Sequence, residues 1–181
     1  MGTPASYEGK RSNGAGIPRW AALVLASFVW FVAIPLAHGA VPWAISSLTP
    51  RYGWANGHPG MWNLLGVIPV ALGAALLIWV LVVGIAQTPN KVKLRLTPSF
   101  LMRRGPYAFT RNPMYVAELG LWLGWAIFFG SIGILAGAVV LSGVVNFIVV
   151  PREERSLEAI FGQSYLQYKN RTPRWFGTPR H

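Results

Sequence analysis

Carboxylates are scarce in this sequence, and their placement points to a site. The 181-residue chain has five Glu and no Asp, and three of the Glu (Glu153, Glu154 and Glu158) fall within six residues. Adjacent residues project about 100° apart on a helix, so Glu153 and Glu154 should have different partners. They either complement a helix N-terminus or, kept ionised by the surrounding Arg, accept ribose hydroxyls or hold a cation.

Two polar groups inside apolar runs are candidates for chemistry on a substrate. Glu118 lies one helical turn after Tyr115, and a carboxylate within a spanning helix is costly enough to suggest a site by default. The alternative is that Glu118 reaches the membrane interface or pairs with Arg111. Asn146 lies two turns before Glu153 on nearly the same helix face. It either hydrogen-bonds a substrate or bonds to the neighbouring third helix.

A segment rich in Gly, Pro and Arg, residues 105–115, leads into the apolar run that contains Glu118. Pro113 is compatible with the first turn of a helix, where its missing N–H is no loss. The N-terminus of that helix offers free backbone donors and a positive dipole end. This pattern predicts a binding edge for a polar or anionic ligand, although Arg and Pro are also common where a helix meets the membrane interface.

These groups must be positioned by membrane helices. Hydrophobic residues make up 53% of the chain and charged residues 12%, which excludes a disordered chain and an ordinary soluble enzyme. A span of about 30 Å of hydrocarbon needs roughly 20 helical residues. Four segments are long and apolar enough, at approximately residues 20–37, 62–86, 114–130 and 132–150. The predicted fold class is therefore an all-α integral membrane protein with about four transmembrane helices.

A cytoplasmic amphipathic helix is predicted after the last span, because apolar residues recur at three- and four-residue spacing over residues 153–168. The whole chain reads as one membrane domain. Its predicted parts are a polar tail over 1–18, two transmembrane helices over 19–86 with an external loop at 38–61, and a core over 87–176. His38 and His58 fall in that loop. A metal pair is the alternative, but isolated loop histidines usually have no such role, so we expect no metal site there.

The third and fourth predicted helices should form a hairpin, since residues 130–133 read Gly-Ser-Ile-Gly. Small residues spaced four apart permit close helix approach in lipid. Gly120 and Gly124 on one helix, and Gly133 and Gly137 on the other, therefore predict packing within the hairpin.

The formal net charge of +11 follows from topology. All but one of the 16 Lys and Arg lie in the N-terminal tail, the loop between the second and third helices, or the C-terminal tail; the exception is Arg51. By the positive-inside rule these three segments, and hence both termini, are cytoplasmic. Nucleic acid is not needed to explain the charge and is not expected as a partner. The chain has no Cys, which removes thiolate nucleophiles and the usual structural zinc sites.

Taken together, the order and spacing of these fragments resemble the isoprenylcysteine carboxyl methyltransferase family and its membrane phospholipid methyltransferase relatives, in a prokaryotic type. The likeness covers about residues 95–176. Its motifs are Gly105-Pro106-Tyr107, Arg111-Asn112-Pro113-Met114-Tyr115, Glu153-Glu154-x-x-Leu157, Phe161-Gly162-x-x-Tyr165-x-x-Tyr168 and Pro173-Arg174-Trp175.

The resemblance implies an integral-membrane methyltransferase of a prokaryotic cell membrane that uses S-adenosylmethionine and releases S-adenosylhomocysteine. The cofactor would lie on the cytoplasmic side, and a lipophilic acceptor would enter from the bilayer. By motif position, the family's cofactor contacts fall on Ser99, Phe100, Leu101, Met102, Tyr107, Asn112, Pro113, Met114, Tyr115 and Glu153. Charge placement alone adds Arg111 and Glu154 to this set. Glu118 and Asn146 are the candidates that face the substrate.

Two departures from the family pattern limit what can be transferred. Asn112 stands where the family usually has His, which removes an imidazole base at that position. Val149 stands where the eukaryotic carboxyl methyltransferases place a substrate-binding Arg, so the methyl acceptor stays open among carboxylate, amine, phenol and thiol. An amine or hydroxyl acceptor would have to lose a proton, and Glu118 or Glu154 is then the candidate base.

Three classes of function stay open at this point. The sequence lacks a Gly-x-Gly-x-x-Gly motif, so a Rossmann-type nucleotide site is not predicted. A membrane sterol reductase that uses NADPH would share a similar Arg-His-Pro segment. A non-enzymatic membrane protein is the third class, but few polar groups lie inside the apolar runs to line a transport path. The paired Glu and the Phe161–Tyr168 motif favour the methyl donor.

Overall fold

The computed structural model describes residues 17–92 and 100–177. These ranges are mostly helical, as predicted. The helices in chain order are α1 (Arg19–Leu48), α2 (Asn63–Gln87), α3 (Pro113–Phe129), α4 (Ile132–Phe161) and α5 (Gln163–Arg171). A 3-10 turn spans Gly105–Ala108. Two short antiparallel pairs join β1 (Ile17–Pro18) to β4 (Lys91–Val92) and β2 (Trp54–Ala55) to β3 (His58–Pro59).

Helix α1 is longer than predicted. The sequence placed an external loop at residues 38–61, but the helix runs on to Leu48, so the connection begins at Thr49. Prolines at 35 and 42 lack the N–H that a regular helix needs. The π-helical stretch Val29–Ala33 lies just before Pro35, and Leu36–Ala40 lies between the two prolines. These stretches let the helix continue past both prolines.

Helix α4 is also longer than predicted and absorbs the start of the amphipathic helix. It continues through Pro151 to Phe161, with a π-helical stretch at Val145–Val149 just before the proline. The break falls at Gly162, whose φ of 51° and ψ of −127° are open to glycine only. The predicted helix over 153–168 is therefore two pieces, and Tyr165 and Tyr168 are buried on the second.

The predicted hairpin turn is present. Gly130 adopts the left-handed conformation at the end of α3, with φ of 56°. The Ser131 hydroxyl caps α4 by accepting from the Ile134 N–H at 3.2 Å. The connection after α1 folds over this turn, because the Thr49 and Ser131 hydroxyls lie 2.8 Å apart and the Tyr52 N–H donates to the Gly130 carbonyl at 3.0 Å.

The glycines of this hairpin pack only in part as predicted. Helix α3 turns its small residues toward α2 instead of α4: a Cβ on Gly124 would meet the side chain of Val70, and one on Gly73 the carbonyl of Ala117. On α4, a Cβ at Gly137 would meet the ring of Trp122. The bulky indole occupies the α3–α4 contact, so the closest backbone approach is between α2 and α3.

Helices α1 to α4 alternate in direction. The starts of α1 and α3 and the ends of α2 and α4 therefore lie at the same end of the molecule. The Arg19 N–H donates to the Asn90 carbonyl at 3.0 Å, which brings the start of α1 to the end of α2. Helices α1, α2 and α4 are long and apolar enough to cross a membrane, and α3 is a shorter apolar helix of 17 residues. The opposite end carries Arg51, whose guanidinium stacks 5.1 Å from the ring centroids of Trp54 and Phe129.

Candidate functional site

A cavity of about 290 Å³ lies at the end where α3 begins. Its walls come from residues 100–102, the 3-10 turn, the first turn of α3, the emergent part of α4, and α5. The predicted cofactor residues that line it are Phe100, Leu101, Met102, Tyr107, Arg111, Asn112, Pro113, Met114, Tyr115, Glu153 and Glu154. Ser99, the remaining predicted residue, lies outside the described residues. Residues from distant parts of the chain are thus brought to one cavity.

The Tyr115–Glu153 hydrogen bond joins the two sides of this cavity. The Tyr115 hydroxyl donates to Glu153 Oε1 at 2.8 Å, linking the first turn of α3 to α4. Pro113 occupies the first turn of α3, and Asn112 precedes it, as the sequence predicts. Glu153 is exposed, so its carboxylate keeps acceptor capacity for a ligand. Burial, and secondarily the charge of Glu153, raises the pKa of Tyr107 to about 12.

Glu154 has different partners from Glu153, as the helix geometry predicts. Its carboxylate is 6% exposed and accepts from Arg174 Nε at 3.0 Å and Nη2 at 2.6 Å. Arg111 Nη1 lies 3.0 Å from the same carboxylate. A buried charge needs partners of this kind, and the bidentate Arg174 contact is the stronger geometry. The hydrogen bonds that Arg174 donates to Glu154 raise the pKa of Arg174.

Arg111 retains one unused donor. Its Nη1 also lies 3.4 Å from the Tyr165 hydroxyl, but its buried Nε has no hydrogen-bond partner within the described part of the chain. Orphaned buried donors are rare in proteins and call for an explanation. Arg111 also lines the cavity.

The C-terminal segment, residues 172–175, is fastened beside the cavity. The Pro173 carbonyl accepts from the Arg111 N–H at 3.0 Å. The Arg174 carbonyl accepts from Thr110 Oγ1 at 3.0 Å and from Asn112 Nδ2 at 2.9 Å. The amide of Asn112 therefore holds this segment in place. The segment covers the turn that leads into α3.

Four lining residues were missed by the sequence analysis: Ser156, Leu157, Tyr165 and Tyr168. Ser156 and Leu157 lie three and four residues after Glu153, so the helical spacing already placed them on its face. Tyr165 and Tyr168 were noted as apolar positions of an amphipathic helix and as part of a family motif, but not as site residues. The Tyr168 hydroxyl donates to the Tyr107 carbonyl at 2.7 Å, and burial raises the pKa of Tyr168.

The two candidates predicted to face a substrate have partners other than those expected. Glu118 does not pair with Arg111; its Oε1 lies 3.7 Å from Nε2 of His38. His38 is not a loop residue, since α1 extends past it and buries it to 9% exposure. Asn146 Oδ1 accepts from Trp175 Nε1 at 3.0 Å and not from α3. Both candidates lie outside the set of residues that line the cavity.

Comparison with known proteins gives this arrangement a family. Residues 61–164, more than half of the chain, match the family model described as phospholipid methyltransferase. The chain belongs to the phospholipid methyltransferase family. The matched range runs from the start of α2 to the start of α5 and includes both sides of the Tyr115–Glu153 contact. Membership of this family supports a methyltransferase activity for the chain. It also confirms the family predicted from the sequence motifs.

This phospholipid methyltransferase family member is also similar to a shorter bacterial protein. An uncharacterized protein of Haemophilus influenzae is 34% identical over 62 residues, which cover 34% of this chain and 98% of that protein. Together with the apolar helices, family membership makes this chain an integral membrane protein.

Proposed function

We propose that this chain is an S-adenosylmethionine-dependent methyltransferase whose cofactor occupies the cavity between α3, α4 and α5. The acceptor is a lipophilic small molecule or a lipid that enters from the bilayer. The observation that carries the proposal is the Tyr115–Glu153 hydrogen bond, which closes a cavity lined by the residues that the family motifs assign to the cofactor. Residues 87–176 then form the methyltransferase core.

The residues present suit the cofactor. The cavity volume of about 290 Å³ is at the lower end of the range for small-molecule sites. Phe100, Leu101 and Met102 offer an apolar wall for adenine. Glu153 is the acceptor for a hydroxyl or for a cationic group of the cofactor. Arg111, held in place by Glu154, offers a positive charge at the cavity wall for the cofactor's carboxylate.

The chain's contribution to catalysis is alignment and the exclusion of water. S-adenosylmethionine supplies a methyl group already activated on a sulfonium. The turn before α3, held by the C-terminal segment 172–175, fixes one wall, and α5 covers the other. Holding two reactants in reactive geometry contributes up to about 7–11 kcal/mol in well-oriented systems. Precise attachment of these wall elements is therefore what the protein has to provide.

Charge supports a cytoplasmic position for the cavity. The described Lys and Arg residues that follow α2 all lie in the loop before α3 or from the end of α4 onward, the regions that build the cavity end. Arg51 lies at the opposite end, beside Trp54. With four crossings, in which the 17-residue α3 spans about 26 Å, the basic end faces the cytoplasm of a prokaryotic cell and both termini are inside.

Glu118 and Asn146 remain our candidates for contact with the acceptor. Glu118 is joined to the cavity wall by the helix itself, since Met114 and Tyr115 precede it by four and three residues. Asn146 has its Oδ1 engaged by Trp175, so only its amide nitrogen would be offered to an acceptor.

Calorimetric titration of the purified full-length chain with S-adenosylhomocysteine tests the cofactor assignment. We expect binding in the micromolar range. Glu153→Gln removes a charged acceptor, and hydrogen bonds to charged groups contribute about 1.5–3 kcal/mol, so binding should weaken by about 10- to 150-fold. His58→Gln, at an exposed position in β3, is the control and should bind as the wild type does.

The same titration with NADPH separates the methyltransferase from the reductase alternative. Binding of NADPH with no response to S-adenosylhomocysteine would contradict the proposed function. Equal S-adenosylhomocysteine affinity in the wild type and in Glu153→Gln would remove Glu153 from the cofactor site.

A further inference from the structure

A buried carboxylate–imidazole pair lies outside the cavity and is not used by the cofactor site described above. Glu118 on α3 and His38 on α1 have side chains only 12% and 10% exposed, and Oε1 lies 3.7 Å from Nε2. Both residues are inside long apolar helices. Ionisable side chains at such positions are costly and mark functional sites by default.

The tautomer of His38 is set by its neighbour. The indole Nε1–H of Trp122 lies 3.0 Å from His38 Nδ1, and an indole nitrogen can only donate. Nδ1 is therefore the acceptor, and the ring proton is on Nε2, which faces Glu118. The π-helical stretch Leu36–Ala40 presents His38 at this point of α1, and such stretches occur frequently at functional sites.

Glu118 is placed one helical turn below the cavity wall. Met114 and Tyr115 line the cavity and share its helix face at four- and three-residue spacing. Side chains on a helix lean toward its N-terminus, which for α3 is the cavity end. The carboxylate therefore leans from the apolar interior toward the place where the proposed cofactor and a membrane acceptor would meet.

The pair is not required to hold α1 against α3. Trp122 Nε1 already binds the His38 ring, and Trp125 Nε1 donates to the His38 carbonyl at 2.7 Å. Ile34 and Trp30, one and two turns before His38, pack in the same cluster as Met114. Replacing the Glu118 carboxylate with an amide of the same shape would leave all of these contacts in place.

We propose that Glu118, oriented by His38, accepts the proton of the methyl acceptor, and that the acceptor is a neutral protic group such as a hydroxyl, amine or thiol. A carboxylate acceptor is disfavoured because it would have to approach a second carboxylate in an apolar surrounding. This inference rests on the proposed function. His38 is a positioning residue: its Nε2–H faces Oε1, which leaves Oε2 for the acceptor.

The reaction balances with these groups. A lone pair on the acceptor atom forms a bond to the methyl carbon, and the carbon–sulfur bond breaks with its electron pair passing to sulfur. The acceptor's proton goes to Glu118, which becomes a carboxylic acid. That proton passes to water before the next turnover. General base catalysis of this kind contributes about 100- to 10,000-fold to rate.

Transfer of label from methyl-labelled S-adenosylmethionine to vesicles made from the source organism's lipid extract tests the inference. We expect Glu118→Gln to lower the transfer rate at least about 100-fold, with S-adenosylhomocysteine affinity within about threefold of wild type. Glu153→Gln is the matched control and should lose affinity for S-adenosylhomocysteine. After mild alkaline hydrolysis the label should stay on a non-volatile product and should not be released as methanol, since ethers, amines and thioethers keep their methyl group and methyl esters lose it.

His38 is tested by a pair of variants. His38→Leu should lower kcat with little change in the KM for S-adenosylmethionine. His38→Gln places an amide N–H near the position of Nε2 and should recover part of kcat. A purely structural role for His38 would instead lower the melting temperature and kcat together in both variants.

Four outcomes would overturn the inference. They are full transfer activity in Glu118→Gln, an alkali-labile methyl ester as the product, label in no lipid, and equal kcat in the Leu and Gln variants of His38. None of these outcomes would contradict the proposed cofactor site, provided that the wild type binds S-adenosylhomocysteine. Failure of that binding would instead contradict the proposed function itself.

Discussion

At the scale of single residues, two adjacent carboxylates have different roles: one is available to bind a ligand, and the other stabilises the walls of the cavity. Glu153 is exposed and has one hydroxyl partner, Tyr115, whereas Glu154 is buried between two guanidinium groups. The first keeps capacity for a ligand, and the second fixes the walls around it. Arg111 belongs to both groups, because it pairs with Glu154 and also lines the cavity.

Replacing each of the three clustered Glu by Gln should separate these roles in stability. Glu154→Gln leaves the largely buried Arg111 without its charge partner, and breaking a buried pair costs about 3–5 kcal/mol. We expect a melting temperature several degrees lower in detergent, measured by tryptophan fluorescence. Glu158→Gln is the control: Glu158 and Lys169 are 39% and 34% exposed, and such surface pairs contribute about 0–1 kcal/mol.

A melting temperature for Glu154→Gln equal to that of Glu158→Gln would show that the Arg111–Glu154–Arg174 cluster does not stabilise the fold. Glu153→Gln should melt close to the wild type. Glu153 is exposed, so water can replace the interactions that the substitution removes.

At the scale of elements, the site depends on where α4 ends. The helix passes Pro151 with the help of a π-helical stretch and carries Glu153, Glu154 and Leu157 on one continuous rod before it breaks at Gly162. The break turns α5 back so that Tyr165 and Tyr168 close the cavity. The direction of α5 is therefore a property of one backbone conformation.

Gly162→Ala should be destabilising because of that conformation alone. A Cβ at Gly162 would meet open space, so the cost is the strain of φ at 51° with ψ at −127°, on the order of 1–3 kcal/mol. We expect a lower melting temperature and weaker S-adenosylhomocysteine binding by calorimetry. Gly143→Ala is the matched control: it lies within α4, also with open space around it, and should melt no lower than the wild type.

If Gly162→Ala melted as the Gly143→Ala control does, the kink between α4 and α5 would not depend on glycine, and the orientation of α5 would need another explanation.

At the scale of the whole molecule, the two ends of the helices differ in charge. The described Lys and Arg residues other than Arg51 lie at the cavity end, while the opposite end carries the aromatic groups around Arg51 and the hairpin turn. Cofactor access from the cytoplasm and acceptor access from the membrane both follow from this arrangement in the proposed function.

Single cysteines report which end faces the cytoplasm, since the natural chain has none. Met61→Cys at the hairpin end and Asn170→Cys at the cavity end are both at exposed positions. We expect a membrane-impermeant thiol reagent to label Met61→Cys in intact cells and Asn170→Cys only after the membrane is opened. Labelling of both, or of neither, in intact cells would contradict the topology with four crossings.

Local sequence was sufficient for much of this molecule. The apolar runs predicted the helices, Gly130 and Ser131 predicted the turn, and Pro113 predicted the start of α3, because each depends on interactions within a few residues. The short motifs also named most residues that line the cavity, since motif and wall are both set by helical spacing around Tyr115 and Glu153.

Only the tertiary structure decided which polar groups meet. Sequence proximity favoured a pair between Arg111 and Glu118. In the structure Glu118 instead meets His38, which lies 80 positions earlier in the chain, and Arg111 meets Glu154. The length of α1 beyond Pro42 and the use of Gly124 against α2 were likewise settled by packing. Pairing between distant helices depends on their relative rotation and depth, which no local pattern encodes.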